Sequence, residues 1–329
     1  MASGTMRCTI VVPTYNTAAL AAQCLRVLFS DLAGRPDTEV VVSDDGSDDD
    51  TPAVLEQLGR AVQVVRSAVN RGFAHACNAG AQVASGELLV FYNTDLTPHP
   101  GWLDALLEYA ASGSRPALVG TRLLFPDGRL QHCGAEICAD GFPRHVYAGF
   151  PGDHEVAMRS GAARIVTAAC VLVRAAAFAD LGGFDTGYRN GYEDVDLCLR
   201  ARQAGYEVHY CHRSVLTHLV SATREPRRAE FARSEQRFLD RWRKLPATDF
   251  ARYCADGLLR ADYGPTYPLR LTVSPELAEL GQSDAAEEDL RAVVHDLRRE
   301  NVRLRLRLGD AAEDSVRPDA PTGPGPDQP

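Results

Sequence analysis

The apolar residues in the first third of the chain alternate between two periodicities. Short β-branched runs predict strands, and the segments between them carry apolar residues at helical spacing. The predicted strands are residues 8–12, where Pro13 ends the run, 39–42, 62–65 and 88–92. The predicted helices are residues 18–29, a segment that begins at Asp50-Thr51-Pro52, and residues 73–83. Such alternation builds a mainly parallel sheet with helices on both faces, so we expect an α/β, Rossmann-like fold.

The second half of the chain has a less regular pattern. Pro126-Asp127-Gly128 predicts a turn, and residues 134–163, rich in Gly, Pro and His, predict a long functional loop. The other predicted elements are a buried strand over 165–173, a helix over 192–203 that Gly205 stops, and short strands over 208–211 and 215–218. We therefore expect the regular α/β pattern to be completed by irregular segments.

These patterns predict four parts of the chain. An α/β domain is expected over residues 1–245, with one half at about 1–120 and the other at about 121–245. An irregular extension over 246–283, an amphipathic helix over 284–309 and a disordered tail over 310–329 are expected to follow. Within that helix, Leu290, Val294, Leu297, Asn301, Leu304 and Leu308 are spaced as a heptad seam. The seam predicts either a parallel homodimer through 284–308 or a helix docked on the body.

Composition excludes several classes of protein. The formal net charge of −9 argues against non-specific nucleic-acid binding. The nine cysteines have no framework spacing, and Cys133 and Cys138 lack the second pair that a zinc finger needs. The first residues show no apolar signal segment, and the longest apolar run, 165–173, is too short to span a bilayer. We expect a cytoplasmic protein.

Residues 224–244 are basic, with aromatic residues interleaved at near-helical spacing. A basic amphipathic helix can lie on a membrane surface, which would place the protein at the inner face of the membrane. Acidic residues dilute this charge, and the sequence favours a helix packed on the α/β domain with a solvated basic face.

Polar clusters follow three of the predicted strands. They are Thr14-Tyr15-Asn16, Asp44-Asp45-Gly46-Ser47 and Asn93-Thr94-Asp95. Ligands of open α/β sheets bind beyond the carboxyl ends of the strands, which is where these clusters fall. A carboxylate there can accept the N3–H of uracil or thymine, or hold a divalent cation on two phosphates. Each cluster alone is also typical of a capped turn.

Taken in order, these segments resemble the family 2 glycosyltransferases, which have a GT-A fold and include bacterial polysaccharide and O-antigen enzymes. The resemblance spans about residues 7–220. It is carried by Val12-Pro13-Thr14-Tyr15-Asn16, Asp44-Asp45-Gly46-Ser47, Asn70-Arg71-Gly72-Phe73 with Asn78 and Gly80, Ala84-Ser85-Gly86-Glu87, Asn93-Thr94-Asp95, Gly182-Gly183-Phe184-Asp185 and Tyr192-Glu193-Asp194-Val195-Asp196-Leu197. Each segment alone is a weak signal, and the ordered set is specific.

The resemblance implies a nucleotide-sugar donor, UDP- or dTDP-linked, and a Mn²⁺ or Mg²⁺ ion. Thr14, Tyr15 and Asp44 would hold the nucleobase and ribose with help from Arg71. The other residues implied on the donor side are Pro13, Asn16, Asp45, Asn70, Gly72, Asn78, Asn93 and Thr94. Asp95 would bind the metal, and His218 would complete the metal or pyrophosphate site, with His212 as the alternative. Asn93 stands where the family's Asp-x-Asp element has its first carboxylate, which leaves one fewer carboxylate for the metal.

The pair Glu193-Asp194 is the implied catalytic element, with Asp194 as the general base. A helix that begins near Tyr192 places Asp194 in its first turn and on the apolar face of that helix. Asp196 lies elsewhere on the helix and can pair with Arg200. Acidic residues also favour helix N-termini for electrostatic reasons, but an acid turned toward the core needs a further explanation.

Asn190, Gly191 and Tyr192, with the loop 141–155, are predicted to face the acceptor, which is a carbohydrate, a lipid-linked sugar or a small molecule. We therefore predict an inverting, metal-assisted glycosyltransferase. A nucleotidyltransferase is one alternative, but it needs a phosphate-binding Gly-rich loop that residues 13–16 do not supply. A non-catalytic nucleotide-sugar-binding or scaffolding protein, dimerising through 284–308, is the other.

Overall fold

The computed structural model describes residues 7–59, 62–219, 228–263 and 269–280. The chain divides into two compact units, Met1–Leu271 and Thr272–Pro329. The predicted helix at 284–309, its homodimer seam and the tail at 310–329 lie outside the described residues. Within the described ranges, no helix combines the length and the apolar character that crossing a membrane requires.

The strands and helices follow one another along the chain as the alternating pattern predicts. The strands are β1 (Cys8–Thr14), β2 (Thr38–Asp44), β3 (Gln63–Arg66), β4 (Leu88–Tyr92), β5 (Leu96–Pro98), β6 (Leu118–Leu124), β7 (Leu130–His132), β8 (Ala135–Ile137), β9 (Pro143–His145), β10 (Gly161–Ala162), β11 (Cys170–Arg174), β12 (Val208–His218), β13 (Leu259–Tyr263) and β14 (Leu269–Val273). The helices are α1 (Ala18–Asp31), α2 (Thr51–Gln57), α3 (Phe73–Val83), α4 (Trp102–Ala110), α5 (Ala175–Asp180), α6 (Glu193–Gln203), α7 (Arg228–Trp242), α8 (Asp249–Ala255) and α9 (Pro275–Leu280).

A ten-stranded sheet organises the first unit, in the order β10-β12-β6-β11-β4-β1-β2-β3, with β5 on β12 and β7 on β6. The β1, β2, β3 and β4 strands run parallel, and β11 is antiparallel to both β4 and β6. Every residue of β1 and β4 is buried, so both faces of the sheet are covered. The predicted α/β fold with a mainly parallel sheet is confirmed.

The first strand is longer than the sequence predicts, because β1 continues through Pro13 to Thr14. The ladder between β1 and β4 ends at Val11, so Pro13 lies beyond it, where a missing backbone N–H breaks no hydrogen bond with β4. The strand therefore delivers Thr14 directly to the edge of the sheet.

The buried run 165–173, predicted as one strand, forms β11 only from Cys170 onward. Four of the five residues 165–169 are buried, but backbone groups of this segment bond elsewhere. The Thr167 N–H donates to His132 Nε2 at 3.3 Å, and the Ala168 N–H donates to Asp194 Oδ2 at 3.0 Å. Side chains thus take the hydrogen bonds that a neighbouring strand would otherwise make.

Three further predictions differ from the structure. The segments 208–211 and 215–218 belong to one strand, β12, whose pairing with β6 shifts register between Cys211 and Val215. The predicted loop 134–163 contains the hairpin of β8 and β9, a turn of 3₁₀ helix at Glu155–Ala157, and β10. Strands of two or three residues are too short to show a period in the sequence. Residues 246–283 hold α8, β13, β14 and α9 within the described ranges.

The basic segment contains α7, which packs against the α/β body. Phe238 and Trp242 are buried, and the Trp242 indole N–H donates to Asp196 at 2.9 Å. The sequence favours a packed helix over one lying on a membrane, and these contacts agree with that interpretation.

Candidate functional site

A polar cleft opens where β1 and β4 end. We call it the strand-end cleft, and it is lined by Pro13, Thr14, Tyr15, Thr17, Leu20, Asp45, Asn70, Gly72, Phe73, Ala76, Asn93, Thr94, Asp95, Arg189, Asn190 and Glu230. Parallel neighbours such as β1 and β4 end at the same edge of the sheet, so residues far apart in sequence meet there. The structure thus brings together most of the residues that the sequence predicts on the donor side.

The loop after β1 is locked to the loop after β2. The Asn16 N–H donates to Ser47 Oγ at 2.9 Å, and the Asn16 side chain exchanges hydrogen bonds with Asp48 at 2.6 and 2.9 Å. Asn16 adopts a positive φ of 51°, a conformation that asparagine tolerates better than most residues. Asn16 does not line the strand-end cleft. Its hydrogen bonds to Ser47 and Asp48 hold the neighbouring Thr14 and Tyr15 in place.

Two adjacent carboxylates behave differently at the end of β2. Asp45 lines the cleft and accepts the backbone N–H of Arg71 at 2.9 Å and of Gly72 at 2.7 Å, while burial raises its pKa. Asp44 is fully buried, accepts the Ser47 N–H at 2.9 Å and lies 3.4 Å from the Arg66 guanidinium. Successive side chains of a strand point to opposite faces, so Asp44 does not reach the cleft.

The segment after β3 approaches the cleft through its backbone. Gly72 has a φ of +100°, and a Cβ there would lie 2.3 Å from the Arg189 carbonyl oxygen, so only glycine fits. Arg71 is exposed and outside the cleft lining. Asn78, also predicted on the donor side, instead bridges the backbone N–H and C=O of Phe184 at 2.9 and 2.8 Å. It fixes the loop after α5.

Asp95 and His218 face each other at the end of β4, with Asp95 Oδ1 3.2 Å from His218 Nε2. The Gln131 side-chain amide donates to the His218 carbonyl at 3.3 Å, which turns its oxygen toward His218 Nδ1 at 2.5 Å. In the neutral ring the proton therefore sits on Nδ1, and Nε2 presents a lone pair to the Asp95 carboxylate. Two acceptors that face each other suit a cation, and Nδ1 donation to an oxygen is the usual support of a metal-bound histidine.

The chemistry of this pair fits a divalent ion that takes its remaining ligands from substrate and water. Within the described part of the chain, no cluster of three or more His, Cys, Asp or Glu side chains could hold a metal on its own. Mn²⁺ and Mg²⁺ accept such shared sites because they bind phosphate oxygens well. His212, the alternative to His218, pairs with Ser160 Oγ at 2.7 Å and is outside the cleft lining.

A second cavity, which we call the Asp194 pocket, is lined by His132, Ala135, Pro143, His145, Ile165, Thr167, Tyr192, Asp194, Val195 and Phe231. Asp194 lies in the first turn of α6 and is half-buried. Its Oδ2 accepts the Ala168 N–H at 3.0 Å, and its Oδ1 accepts the Val195 N–H at 2.8 Å. Both bonds fix the orientation of the carboxylate.

One backbone segment, residues 168–169, is hydrogen-bonded to a residue of each cavity. The Asn93 N–H, beside Asp95, donates to the Ala169 carbonyl at 2.9 Å, and the neighbouring Ala168 N–H holds Asp194. The carboxylate of the pocket and the Asp95–His218 pair are therefore placed by adjacent residues at the same edge of the sheet.

Glu193 does not face either cavity. It is 7% exposed, and within the described residues its Oε2 has no hydrogen-bond partner. Burial, together with the nearby charge of Asp194, raises the pKa of Glu193 to about 8. Of the predicted catalytic pair, only Asp194 lines a cavity.

Asp196 is fully buried, which the sequence does not suggest. It pairs with Arg200 at 2.6 Å, as its spacing predicts, and also accepts the Trp242 indole N–H. Asp196 therefore ties α7 to α6.

The residues predicted on the acceptor side divide between the two cavities. Asn190 lines the strand-end cleft, and Tyr192 lines the Asp194 pocket and stacks on Phe238 with ring centroids 5.0 Å apart. Gly191 has a φ of +88°, and a Cβ there would lie 2.8 Å from the ring of Phe231. Close packing against α7 thus sets the path of this loop.

Sequence reasoning misses several residues of the site. They are Gln131, His132, His145, Arg189, Glu230 and Phe231. They come from separate segments, and the only signal in the sequence is the high histidine content near 132–154.

The chain is similar in sequence to known proteins. The model of the family described as "Glycosyl transferase family 2" matches residues 9–182. The uncharacterized protein y4gI of Sinorhizobium fredii is 31% identical over 83% of this chain and 32% of its own length. The O-antigen biosynthesis protein RfbC of Myxococcus xanthus is 34% identical over 67% of this chain and 18% of its own. This chain therefore spans about a third or less of these two relatives.

A third relative is closer in length. The N-acetylglucosaminyl-diphospho-decaprenol L-rhamnosyltransferase of Mycobacterium tuberculosis is 28% identical over 66% of this chain and 78% of its own length. This relative matches most of its own length, so the likeness covers more than a shared fragment.

Two solved structures share the fold. The mannosyltransferase PcManGT of Pyrobaculum calidifontis, in complex with GDP-Man and Mn²⁺, has a TM-score of 0.53 at 24% identity, over 74% of this chain and 66% of that one. GalNAc-T7 with UDP, GalNAc and Mn²⁺ has a TM-score of 0.53 at 15% identity, over 67% and 45%. These likenesses show a GT-A fold. Because the family model covers more than half of its residues, the chain belongs to glycosyl transferase family 2, a family of transferase enzymes.

Proposed function

We propose that this chain is an inverting glycosyltransferase in which Asp194 is the general base. The observation that carries the proposal is the shared segment 168–169, which holds the Asp194 carboxylate beside the strand ends that carry Asp95. An acid fixed at the wall of one cavity and a cation-binding pair in the next supply the two requirements of glycosyl transfer. One is a base for the acceptor hydroxyl, and the other is stabilisation of the departing diphosphate.

The donor is a nucleotide-diphosphate sugar, UDP- or dTDP-linked, bound in the strand-end cleft. Thr14, Tyr15 and Asp45 line the part of the cleft that follows β1 and β2, and the Asp45 carboxylate can accept the N3–H of a pyrimidine base. Structural relatives contain nucleotide sugars or nucleotides, which supports this class of donor. We assign the base contact to Asp45, since Asp44 is turned into the protein.

Asp95 and His218 would hold a Mn²⁺ or Mg²⁺ ion. Such an ion, when bound, neutralises negative charge on the diphosphate leaving group. The Gln131 amide keeps the Nε2 lone pair of His218 directed at Asp95. Asn93 and Thr94 line the cleft beside them and offer neutral polar contacts to the sugar phosphate.

The acceptor is a carbohydrate or lipid-linked sugar bound in the Asp194 pocket. Tyr192, Phe231 and Pro143 give this pocket apolar walls, and Phe231 is 45% exposed. Aromatic walls suit the C–H faces of a sugar ring, whereas Asp194 suits one of its hydroxyls. Two relatives are named for O-antigen biosynthesis and for transfer to a diphospho-decaprenol sugar, which supports a role in polysaccharide biosynthesis.

The reaction is a single displacement. The Asp194 carboxylate takes the proton of the acceptor hydroxyl, and that oxygen forms a bond to the anomeric carbon. The bond from this carbon to the diphosphate breaks at the same time, and its electron pair leaves on the phosphate oxygen. The Ala168 and Val195 N–H groups keep the carboxylate in place while it acts. One displacement inverts the anomeric configuration.

The test is a donor panel. UDP-, dTDP- and GDP-sugars are titrated into the chain by calorimetry with Mn²⁺, Mg²⁺ or EDTA, and transfer to a panel of octyl glycosides is followed by chromatography. We expect one donor to bind tightly in a metal-dependent way and to be transferred. If no nucleotide sugar binds under any metal condition, the proposal is wrong, and a non-catalytic role takes its place.

A further inference from the structure

One cationic side chain lines the strand-end cleft. Among the described residues of its wall, Arg189 is the only lysine or arginine, whereas Asp45, Asp95 and Glu230 are acidic. A nucleotide sugar carries two negative charges on its diphosphate, and the proposed donor site must hold them in this cleft. A metal ion at Asp95 and His218 would balance part of that charge. Arg189 supplies the protein's own positive charge in the same cleft.

The backbone of Arg189 is packed against the wall of the cleft. Its carbonyl oxygen accepts the Phe73 N–H at 3.3 Å. A Cβ on Gly72 would lie 2.3 Å from that oxygen and 2.8 Å from the Arg189 Cγ. The side chain therefore begins directly beside Gly72 and Phe73, which both line the cleft.

The guanidinium of Arg189 lies between two other residues of the wall. Its Nη2 donates to the Asn70 carbonyl oxygen at 3.1 Å, and its Nε lies 3.1 Å from Glu230 Oε1 on α7. The positive charge also acts on Asp45. Burial raises the pKa of that carboxyl, and Arg189 is one of the groups that oppose the rise. Asn70 and Glu230 thus hold a charged fork within reach of the acids of the cleft.

The ion pair between Arg189 and Glu230 is one that a ligand can exchange. The two side chains are 47% and 28% exposed, and ion pairs in contact with water contribute little to stability. A guanidinium can donate two parallel N–H bonds to one phosphate. A diphosphate carries more charge and more acceptor oxygens than one carboxylate, so it is the stronger partner for Arg189.

We propose that Arg189 binds the diphosphate of the donor, and that Glu230 holds the guanidinium until the donor takes its place. On binding, the guanidinium exchanges the Glu230 carboxylate for phosphate oxygens, and no covalent bond changes. Arg189 therefore raises the affinity for phosphates, whereas Glu230 lowers it by competing for the same group. The inference rests on the proposed function, since it takes the strand-end cleft as the donor site.

Calorimetry with UDP and uridine tests the assignment, because the two ligands differ only in the diphosphate. If the donor panel selects another nucleotide, its own diphosphate and nucleoside replace them. With Mn²⁺ held constant, we expect Arg189→Gln to weaken UDP binding about tenfold, the factor for one hydrogen bond to a charged group, and to leave uridine binding unchanged. The matched control is Arg213→Gln, because Arg213 is an exposed arginine outside the cleft lining that pairs with Glu108 at 3.0 Å.

The opposite change is expected at Glu230. Glu230→Gln removes the competing carboxylate, so we expect UDP affinity to rise about twofold to fivefold, the range for one exposed ion pair, with uridine binding again unchanged. Glu108→Gln is its control. If Arg189 and Glu230 only hold α7 in place, both variants lose affinity for UDP and uridine alike, and this outcome overturns the inference.

Nitrogen NMR of the arginine-labelled full chain follows the partner of Arg189 directly. The Arg189 Nε–H signal is identified by its loss in Arg189→Gln. We expect this signal to shift in Glu230→Gln, and to shift in the wild type when UDP is added but not when uridine is added. A signal that shifts in Glu230→Gln and stays in place with saturating UDP contradicts the exchange of partners.

The two possible failures are distinct. A wild type that binds neither nucleotide sugar nor nucleoside diphosphate refutes the proposed function. A wild type that binds UDP more tightly than uridine, while Arg189→Gln keeps the wild-type affinity for UDP, refutes only the role of Arg189.

Discussion

The two cavities of the site are assembled in different ways. The strand-end cleft takes Thr14, Asp45 and Asp95 from positions at or just after the ends of β1, β2 and β4. Each of these residues lies at the end of its strand or within three residues of it, so the sheet alone brings them together. The Asp194 pocket takes His145 and Phe231 from a short hairpin and from α7.

This difference has a physical consequence. In the strand-end cleft, position follows from parallel pairing, which many backbone hydrogen bonds support at once. In the Asp194 pocket, position depends on single contacts such as Ala168 to Asp194 and Thr167 to His132. A substitution in the Asp194 pocket should therefore change one step and leave donor binding unchanged. A substitution in the strand-end cleft should change the binding of donor and metal together.

The largest expected effect is the loss of the base. Asp194→Asn removes proton abstraction but keeps the shape of the pocket, so we expect kcat to fall about 10²- to 10⁴-fold. Donor affinity should stay at the wild-type value, because Asp194 lies outside the strand-end cleft. Stopped-time transfer assays and calorimetry measure the two quantities. The matched control is Asp180→Asn, which removes a carboxylate that bonds the Tyr206 hydroxyl. Equal loss of donor affinity and kcat in Asp194→Asn would contradict the division between the cavities.

The next effect concerns the support of the metal pair. Gln131→Leu removes the oxygen that holds the Nδ1 proton of His218, and we expect Mn²⁺ affinity to fall about 10- to 100-fold. Gln131→Glu keeps an acceptor at that position and should retain most of the affinity. The Mn²⁺ concentration that gives half-maximal donor binding is the measurement. Unchanged Mn²⁺ dependence in Gln131→Leu would remove His218 from the proposed site.

A smaller effect distinguishes the two adjacent acids after β2. Asp45→Asn should weaken donor binding about tenfold, since a hydrogen bond to a charged group is worth ~1.5 kcal/mol or more. Asp44→Asn should leave donor affinity unchanged and lower the melting temperature, because Asp44 is buried and bonds Ser47. Calorimetry and thermal melts measure both variants. The opposite pattern would return the base contact to Asp44.

The smallest effect on activity is expected at Glu193. Burial raises its pKa to about 8, so protonated Glu193 stabilises the fold at low pH, and this stability is lost as the pH rises from about 4.5 to 8. Glu193→Gln should match the wild type near pH 4.5 and be more stable above pH 8 by ~5 kcal/mol. Urea unfolding at a series of pH values measures the difference. A large loss of transfer in Glu193→Gln would instead give Glu193 a part in the chemistry.

The two cavities also differ in how far the sequence predicts them. The strand ends that carry Thr14 and Asp95 could be read from the sequence, because period and strand order place them. The inward position of Asp194 could also be predicted, because the spacing of the helix places this acid on its apolar face, and Asp194 does line a cavity. His132 and His145 could not, since a contact between β7 and β9 leaves no periodic signal in the sequence.

Adjacent residues of one motif cannot be told apart from the sequence alone. Asp44 and Asp45 share a motif, and only the register of β2 decides which one faces the cleft. Residues 165–169 are as apolar as a strand, yet side chains capture their backbone groups. Such choices depend on contacts between distant segments.

The anomeric configuration of the first-formed product tests the central claim most directly. With the donor that calorimetry selects, the proton coupling constant at the new glycosidic bond is read by NMR during the first turnovers. We expect inversion relative to the donor, since Asp194 activates the acceptor for one direct displacement. Retention of configuration would contradict that role for Asp194 and the proposed mechanism with it.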